Sequence, residues 1–266
     1  LSKYGRKCSD FPIIEAILRE YIISIFWRDL SAFFMQGFIH NDTVFKESIL
    51  MRAIVPFKRE RAKSRLSPVL SGEERSEFAQ AMLRDVLCAL SGSGMRIDVL
   101  TTSVSGAMRA NTENVVVCEL GLNDALNQYL DSMVEHSEIE PVIIIMADLP
   151  LATEEHINEI CSRDSDVVIV PGKRGGTNVL FLKDPSRFRV DYYGTSFLDH
   201  IRIAKDAGLS IEVFDSFMLS TDIDEPGDLI EVLIHGRGEA AGYLRNLGFE
   251  VCADNERVEL RRRGNG

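Results

Sequence analysis

The stretch "PVIIIMADLP", residues 141–150, decides the fold. Its apolar run from Val142 to Met146 is unbroken by any polar residue, too short for an ordinary helix, and bounded by prolines. That pattern predicts a central parallel strand covered on both faces. The run empties into Ala147-Asp148-Leu149-Pro150, and Thr153 then opens a helix whose first turn carries Glu154 and Glu155, favourable at the positive end of a helix dipole.

Outward from this point strands and helices alternate. Upstream, residues 52–56 read as a buried strand, "GEERSEFAQAMLRDVLCAL" as an amphipathic helix, "RIDVLTT" and "NVVVCE" as strands, and the stretch after Gly121 as a helix. Downstream come strands "DVVIVP" and "NVLFL", a helix from Ser196 to Ala207, strand "SIEVF", helices "PGDLIEVLIHG" and "EAAGYLRNLGF", and a last pair, "FEVCA" and "RVELR". The alternation predicts an α/β domain of three layers, α/β/α, around a mostly parallel mixed sheet. In such sheets ligands sit in the crevice at the carboxyl ends of the strands, so the residues that follow the apolar runs carry the function.

Composition narrows the classes. A net charge of -11 argues against a surface for nucleic acid or anionic membrane. The apolar runs fall short of the ~18 residues a membrane span needs. Cys8, Cys88, Cys118, Cys161 and Cys252 are scattered with no C-x-x-C pair, which fits reduced thiols in a cytoplasmic protein. Cys88, Cys118 and Cys161 lie among apolar residues and are expected as small core residues.

Residues 1–50 differ from the rest. They hold six basic and six acidic side chains, so all the net charge lies beyond them, and they contain the one tryptophan, Trp27. Two readings are open: a helical arm, or a segment foreign to the native protein, since Met51 would serve as an initiator. The second is preferred, and the domain is placed at residues 51–266.

Three groups stand at strand ends. After the first strand, "PFKRERAKSRL" gathers Lys58, Arg59, Arg61, Lys63 and Arg65, either a solvated charge run or a triphosphate site. Asp148 follows the central strand, either as a ligand for a hard divalent cation or as a turn former. "TDIDEP" places Asp222 and Asp224 on one side of an extended segment, while Asp224 is also a candidate cap for a helix starting at Pro226. Between them, Gly175, Gly176 and Thr177 offer amides and a hydroxyl to an anion. Gly194, Thr195 and Ser196 open a helix, with His200 one turn further on. Plain turns and a serine cap are the alternative.

With "RAIVPFK", "KSRLSPVLSGEERSEFAQAML", "GLNDAL", "ADLPL", "GGTNVLF", "YGTSFLDHI", "DIDEPGDL" and "GRGEAAGYLRNLGFEV" in this order, the chain from Met51 to about Arg261 resembles the 2-phospho-L-lactate guanylyltransferase family of coenzyme F(420) biosynthesis. The resemblance implies a nucleotidyltransferase related to the glycosyltransferase-A fold that uses Mg2+ and GTP. It would transfer GMP to the phosphate of a three-carbon acid, phospholactate or phosphoenolpyruvate, and release pyrophosphate. By the same carry-over Lys58, Lys63 and Arg65, with Arg59 beside them, bind the triphosphate, and Asp148, Asp222 and Asp224 hold Mg2+. Thr177, Gly194 and Ser196, flanked by Asn178 and His200, take the acceptor. Base selection is expected near residues 101–105 and at Gly121 and Asn123, and the stretch "GRGEAAGYLRNLGF" is a candidate homodimer surface. The rival readings are a sugar-nucleotide glycosyltransferase and a nucleotide-binding regulator without turnover.

Overall fold

The computed structural model describes residues 51–58, 63–102, 114–137, 139–253 and 257–263. The expectations for residues 1–50, for Arg59 and Arg61 and for 103–105 lie outside the described residues. Among the described residues seven strands form one sheet: β1 (Arg52–Phe57), β2 (Arg96–Thr101), β3 (Asn114–Val117), β4 (Val142–Ile145), β5 (Val167–Pro171), β6 (Thr177–Leu182) and β7 (Ile211–Val213). Their spatial order is β3-β2-β1-β4-β6-β5-β7, which puts the strand of the opening stretch in the middle.

β4 runs parallel to β1, pairing Arg52 with Val142, but antiparallel to β6, pairing Ile145 with Val179. The expectation of parallel neighbours therefore holds on one side only. β6 is antiparallel to β5 as well, and the remaining pairs, β1–β2, β2–β3 and β5–β7, are parallel. The reversal has a consequence for function. The start of β6, not its end, lies level with the carboxyl ends of the other strands.

Two apolar layers sandwich the sheet because strand side chains alternate faces. On β4, Ile143 and Ile145 enter one layer while Val142 and Ile144 enter the other, and β6 divides Val179 and Phe181 from Leu180 and Leu182 in the same way. The first layer is closed by α1 (Gly72–Gly92), α3 (Glu154–Cys161), α6 (Asp228–His235) and α7 (Glu239–Asn246), through residues such as Phe78, Ile157, Val232 and Leu244. The second is closed by α2 (Leu122–Glu135) and α4 (Ser196–Asp206), through Leu126, Leu130 and Ala204. A short helix, α5 (Phe217–Ser220), precedes the aspartate segment, and β8 (Phe249–Ala253) and β9 (Val258–Arg262) form a separate antiparallel pair.

α1 begins with a capping box, Ser71 accepting from the Glu74 amide while Glu74 accepts from that of Ser71. Two local expectations change. Cys88 is exposed instead of buried, while Cys118 and Cys161 are half-buried and pack against the second and first apolar layers. Asp224 does not cap α6, whose helical turn begins at Asp228; the Asp228 carboxylate itself accepts from the amides of Asp224 and Glu225, each at 2.8 Å. The candidate dimer stretch buries Ala240, Ala241 and Leu244 of α7 within the chain, where α7 packs on α1. Among the described residues no helix is long and apolar enough to cross a membrane.

Candidate active site

The carboxyl end of the sheet opens into a cavity of about 370 Å³ lined by Lys58, Lys63, Arg65, Asp148 and Asp224. β1 delivers Lys58, which is exposed at the rim. Lys63 heads a tight 3-10 turn, Ser64–Leu66, anchored by the fully buried Leu66. Its backbone is left-handed at φ 55, a conformation that costs a non-glycine residue about 1 kcal/mol or more. That backbone aims a long side chain into the cavity, where Nζ donates to Asp148 Oδ2 at 2.6 Å and Asp224 Oδ1 at 2.8 Å. Arg65 reaches the other Asp224 oxygen, with 3.1 Å from Nη1 to Oδ2.

The Lys63 side chain is only 12% exposed. Burial pulls its pKa down, but Asp148 and Asp224 outweigh burial and hold the ammonium above the ordinary lysine value. Asp148 is placed by the turn after β4, whose register with the aspartate segment is fixed by the Ile223 amide donating to the Asp148 carbonyl at 3.2 Å. Its second oxygen, Oδ1, is buried with no hydrogen-bond partner among the described residues.

Asp222 takes different partners from Asp224. Its Oδ1 accepts from the Lys173 amide at 3.2 Å and from Asn178 Nδ2 at 3.4 Å. The two carboxylates thus take separate partners, on either side of the fully buried Ile223. Among the described residues no three His, Cys, Asp or Glu side chains converge as a ready metal cage. The pair Asp148 and Asp224 nonetheless suits a small hard dication, which takes one or two carboxylates and completes its shell with phosphate and water; the partnerless Asp148 Oδ1 is a fitting ligand.

A second cavity of about 340 Å³ adjoins the first, sharing Pro56, Phe57, Lys58 and Met146. It is mainly apolar, walled by Leu100, Cys118, Leu120 and Leu122, with Gly121 and Thr102 on its lining. The Thr102 hydroxyl is buried without a partner among the described residues. Asn123 is committed elsewhere: its Nδ2 donates to Asp191 Oδ1 and its Oδ1 accepts from the Tyr192 amide, both at 2.7 Å. A side chain on Gly121 would meet the Tyr193 hydroxyl, with a Cβ only 2.9 Å away.

The third group gathers where β6 starts and α4 begins. Thr177, Ser196 and His200 are 3%, 2% and 0% exposed. Thr177 Oγ1 lies 3.0 Å from His200 Nδ1 and 3.3 Å from Ser196 Oγ. The Asp191 amide donates to His200 Nε2 at 3.0 Å. Burial drives the imidazole pKa down to about 4 against the opposing pull of Asp191 and Asp199. Gly194 is left-handed at φ 67, and α4 has Thr195, not Ser196, at its cap position with no side-chain cap bond. Asn178 donates Nδ2 to the Leu219 carbonyl at 2.8 Å and so ties β6 to α5. Gly176 has its amide in a local turn to the Lys173 carbonyl at 3.3 Å.

Residue-by-residue reading passed over Lys173 and Arg174. Lys173 Nζ pairs with Asp228 and Arg174 with Glu225, each at 2.5 Å, so "KR" braces "DIDEPGD" through two ion pairs. Complementary charge between two short loops was the available signal.

The family model described as "Guanylyl transferase CofC like" matches residues 51–263. The chain is 53% identical over 211 residues to a 2-phospho-L-lactate guanylyltransferase of Methanosarcina mazei, covering 79% of this chain and 99% of that protein. A protein of the same name from Methanosarcina acetivorans is 55% identical over 203 residues, covering 76% and 95%. In fold the chain is similar to a protein of Desulfovibrio desulfuricans assigned as a nucleotide-diphospho-sugar transferase, at TM-score 0.61 and 14% identity over 74% of this chain and 94% of that one. With a match that spans the whole described sheet and relatives at about half identity, the chain belongs to the guanylyl transferase CofC-like family.

Proposed function

We propose that this chain is a guanylyltransferase that moves GMP from GTP onto the phosphate of 2-phospho-L-lactate and releases pyrophosphate. The observation that carries the reading is the facing of Lys58, Lys63 and Arg65 with Asp148 and Asp224 across one cavity that opens into an apolar one. The first suits a triphosphate, with cations to neutralise it, and the second suits the flat face of a base. The name of relatives at 53% and 55% identity supports guanine and phospholactate as the partners.

The reaction is a displacement at phosphorus. An oxygen of the acceptor phosphate attacks the α-phosphorus of GTP, forming a new P–O–P bridge. The bond to the β-phosphate oxygen breaks, and pyrophosphate leaves with the bonding pair. An acceptor phosphate is ionised near neutral pH, so no side chain need remove a proton. The obstacle is the mutual repulsion of several anions in one crevice, which positioned cations offset in a partly buried site. Lys58 and Lys63 act as point charges and Arg65 as a planar fork. Asp148 and Asp224 would hold Mg2+, which supplies further neutralisation of the phosphate oxygens when bound. Thr177, Gly194 and Ser196 would take the acid.

Pyrophosphate release tests the reading directly, with Mg2+, each of four nucleoside triphosphates, and 2-phospholactate or phosphoenolpyruvate. Release that requires both GTP and the acid is expected; release with a sugar phosphate instead of either acid would refute it.

A further inference from the structure

His200 touches neither cavity, yet it is the most buried polar residue of the acceptor-side cluster, and its hydrogen bonds leave it one arrangement of protons. The Asp191 backbone N–H donates to Nε2 at 3.0 Å. An amide N–H cannot accept, so Nε2 must present its lone pair, and a neutral ring then carries its hydrogen on Nδ1. Nδ1 faces Thr177 Oγ1 at 3.0 Å, and Thr177 therefore accepts from the ring.

Thr177 and Ser196 own one hydroxyl hydrogen each, and their oxygens are 3.3 Å apart, so one of the two hydrogens is used between them. Because the ring has already donated into the pair, the other hydroxyl hydrogen is left over for a third partner. Were the ring hydrogen on Nε2, Thr177 would donate to Nδ1 and Ser196 to Thr177. Both hydrogens would then be consumed inward, and the pair would offer an incoming group nothing but lone pairs. The first arrangement attracts an anion and the second repels one.

We infer that His200 is a positioning residue for the acceptor acid: held by the Asp191 amide, it donates to Thr177 and so fixes the Thr177–Ser196 pair as a hydrogen-bond donor to the acid's carboxylate or phosphate. The inference deepens, and rests on, the reading that these two hydroxyls receive the acceptor. The site is the right medium for such control. All three side chains are nearly sealed from bulk water, so solvent competes little with these bonds. Burial also keeps the ring neutral, with a pKa of about 4. The same ring fixes the loop that carries Gly194, since its partner Asp191 lies on the segment also held by Asn123.

Two measurements test this. Nitrogen NMR of the wild-type protein, with the His200 signal identified by its loss in a variant, reads the tautomer with no need of turnover. Hydrogen on Nδ1 is expected; hydrogen on Nε2 would overturn the inference. Kinetics then compare H200N, whose amide nitrogen replaces Nδ1 and keeps a donor to Thr177, with H200Q, which reaches towards Asp191 and removes it. The Michaelis constant for the acid should rise roughly tenfold to a hundredfold in H200Q and only a fewfold in H200N, with that for GTP unchanged in both. Equal losses in both variants, or losses shared with GTP, would reduce His200 to a packing residue. Wild-type protein that releases pyrophosphate without any dependence on an acid would remove the acceptor reading itself, a failure distinct from a wrong tautomer or an unselective variant.

Discussion

Lys63 donates to one oxygen of Asp148 and one of Asp224, so the ammonium and a dication compete for the same carboxylates. Replacing it should separate two roles. K63M should bind Mn2+ in the absence of nucleotide about tenfold more tightly than wild type, by electron paramagnetic resonance, because an attached positive charge has been removed. Its turnover should nonetheless fall roughly 100-fold, since the triphosphate loses a cation. D148N is expected to lose turnover by a similar or greater factor while GTP affinity, by calorimetry, changes little. His200 contributes in the opposite pH sense to Lys63, whose pKa is raised. Its folded pKa of about 4 lies below the ordinary value of 6.5, so its share of stability is fully present above pH 6.5 and drains away as pH falls towards 4. The pH-dependent share is about 3 kcal/mol, and in urea unfolding the stability of wild type relative to H200Q should fall by about that much across this window.

Helix α7 shows what an element owes to distant sequence. Its cap position is Gly238, which has no side chain to offer, and the first free amides, Glu239 and Ala240, donate instead to Asp85 of α1 at 2.6 and 2.9 Å. Gly238 is required by that approach, since a Cβ there would lie 2.1 Å from Asp85 Oδ1. D85A should cost about 1–2 kcal/mol in urea unfolding and leave GTP binding intact, whereas loss of nucleotide binding would tie α7 to the site. The periodicity of "EAAGYLRNLGF" made the helix legible, but no local signal could reveal a cap 154 residues away. The same limit governs the sheet. "PVIIIMADLP" and its neighbours were readable as strands, whereas the reversed direction of β6 depends on pairing with β4 and β5. Thr177, at the head of that strand, was thus at the ligand end for a reason periodicity does not contain.

At the scale of the molecule, the sequence carried the layers and the grouping of cations with aspartates, because both follow from which residue types sit at strand ends. It did not carry the separate partners of Asp222 and Asp224, set by Lys173 and Asn178 on one side and Lys63 and Arg65 on the other, nor the commitment of Asn123 to the 191–192 loop. Those are tertiary facts. They assemble a charged cavity, an apolar cavity and a buried hydroxyl pair along one edge of a seven-stranded sheet. The central claim is that this edge joins a guanylyl group to a phosphate. Phosphorus NMR of the product formed from GTP, 2-phospholactate and Mg2+ tests it most directly. Two mutually coupled phosphorus signals of a new P–O–P bridge, appearing with pyrophosphate, are the result the account predicts. GMP beside unchanged phospholactate would contradict it.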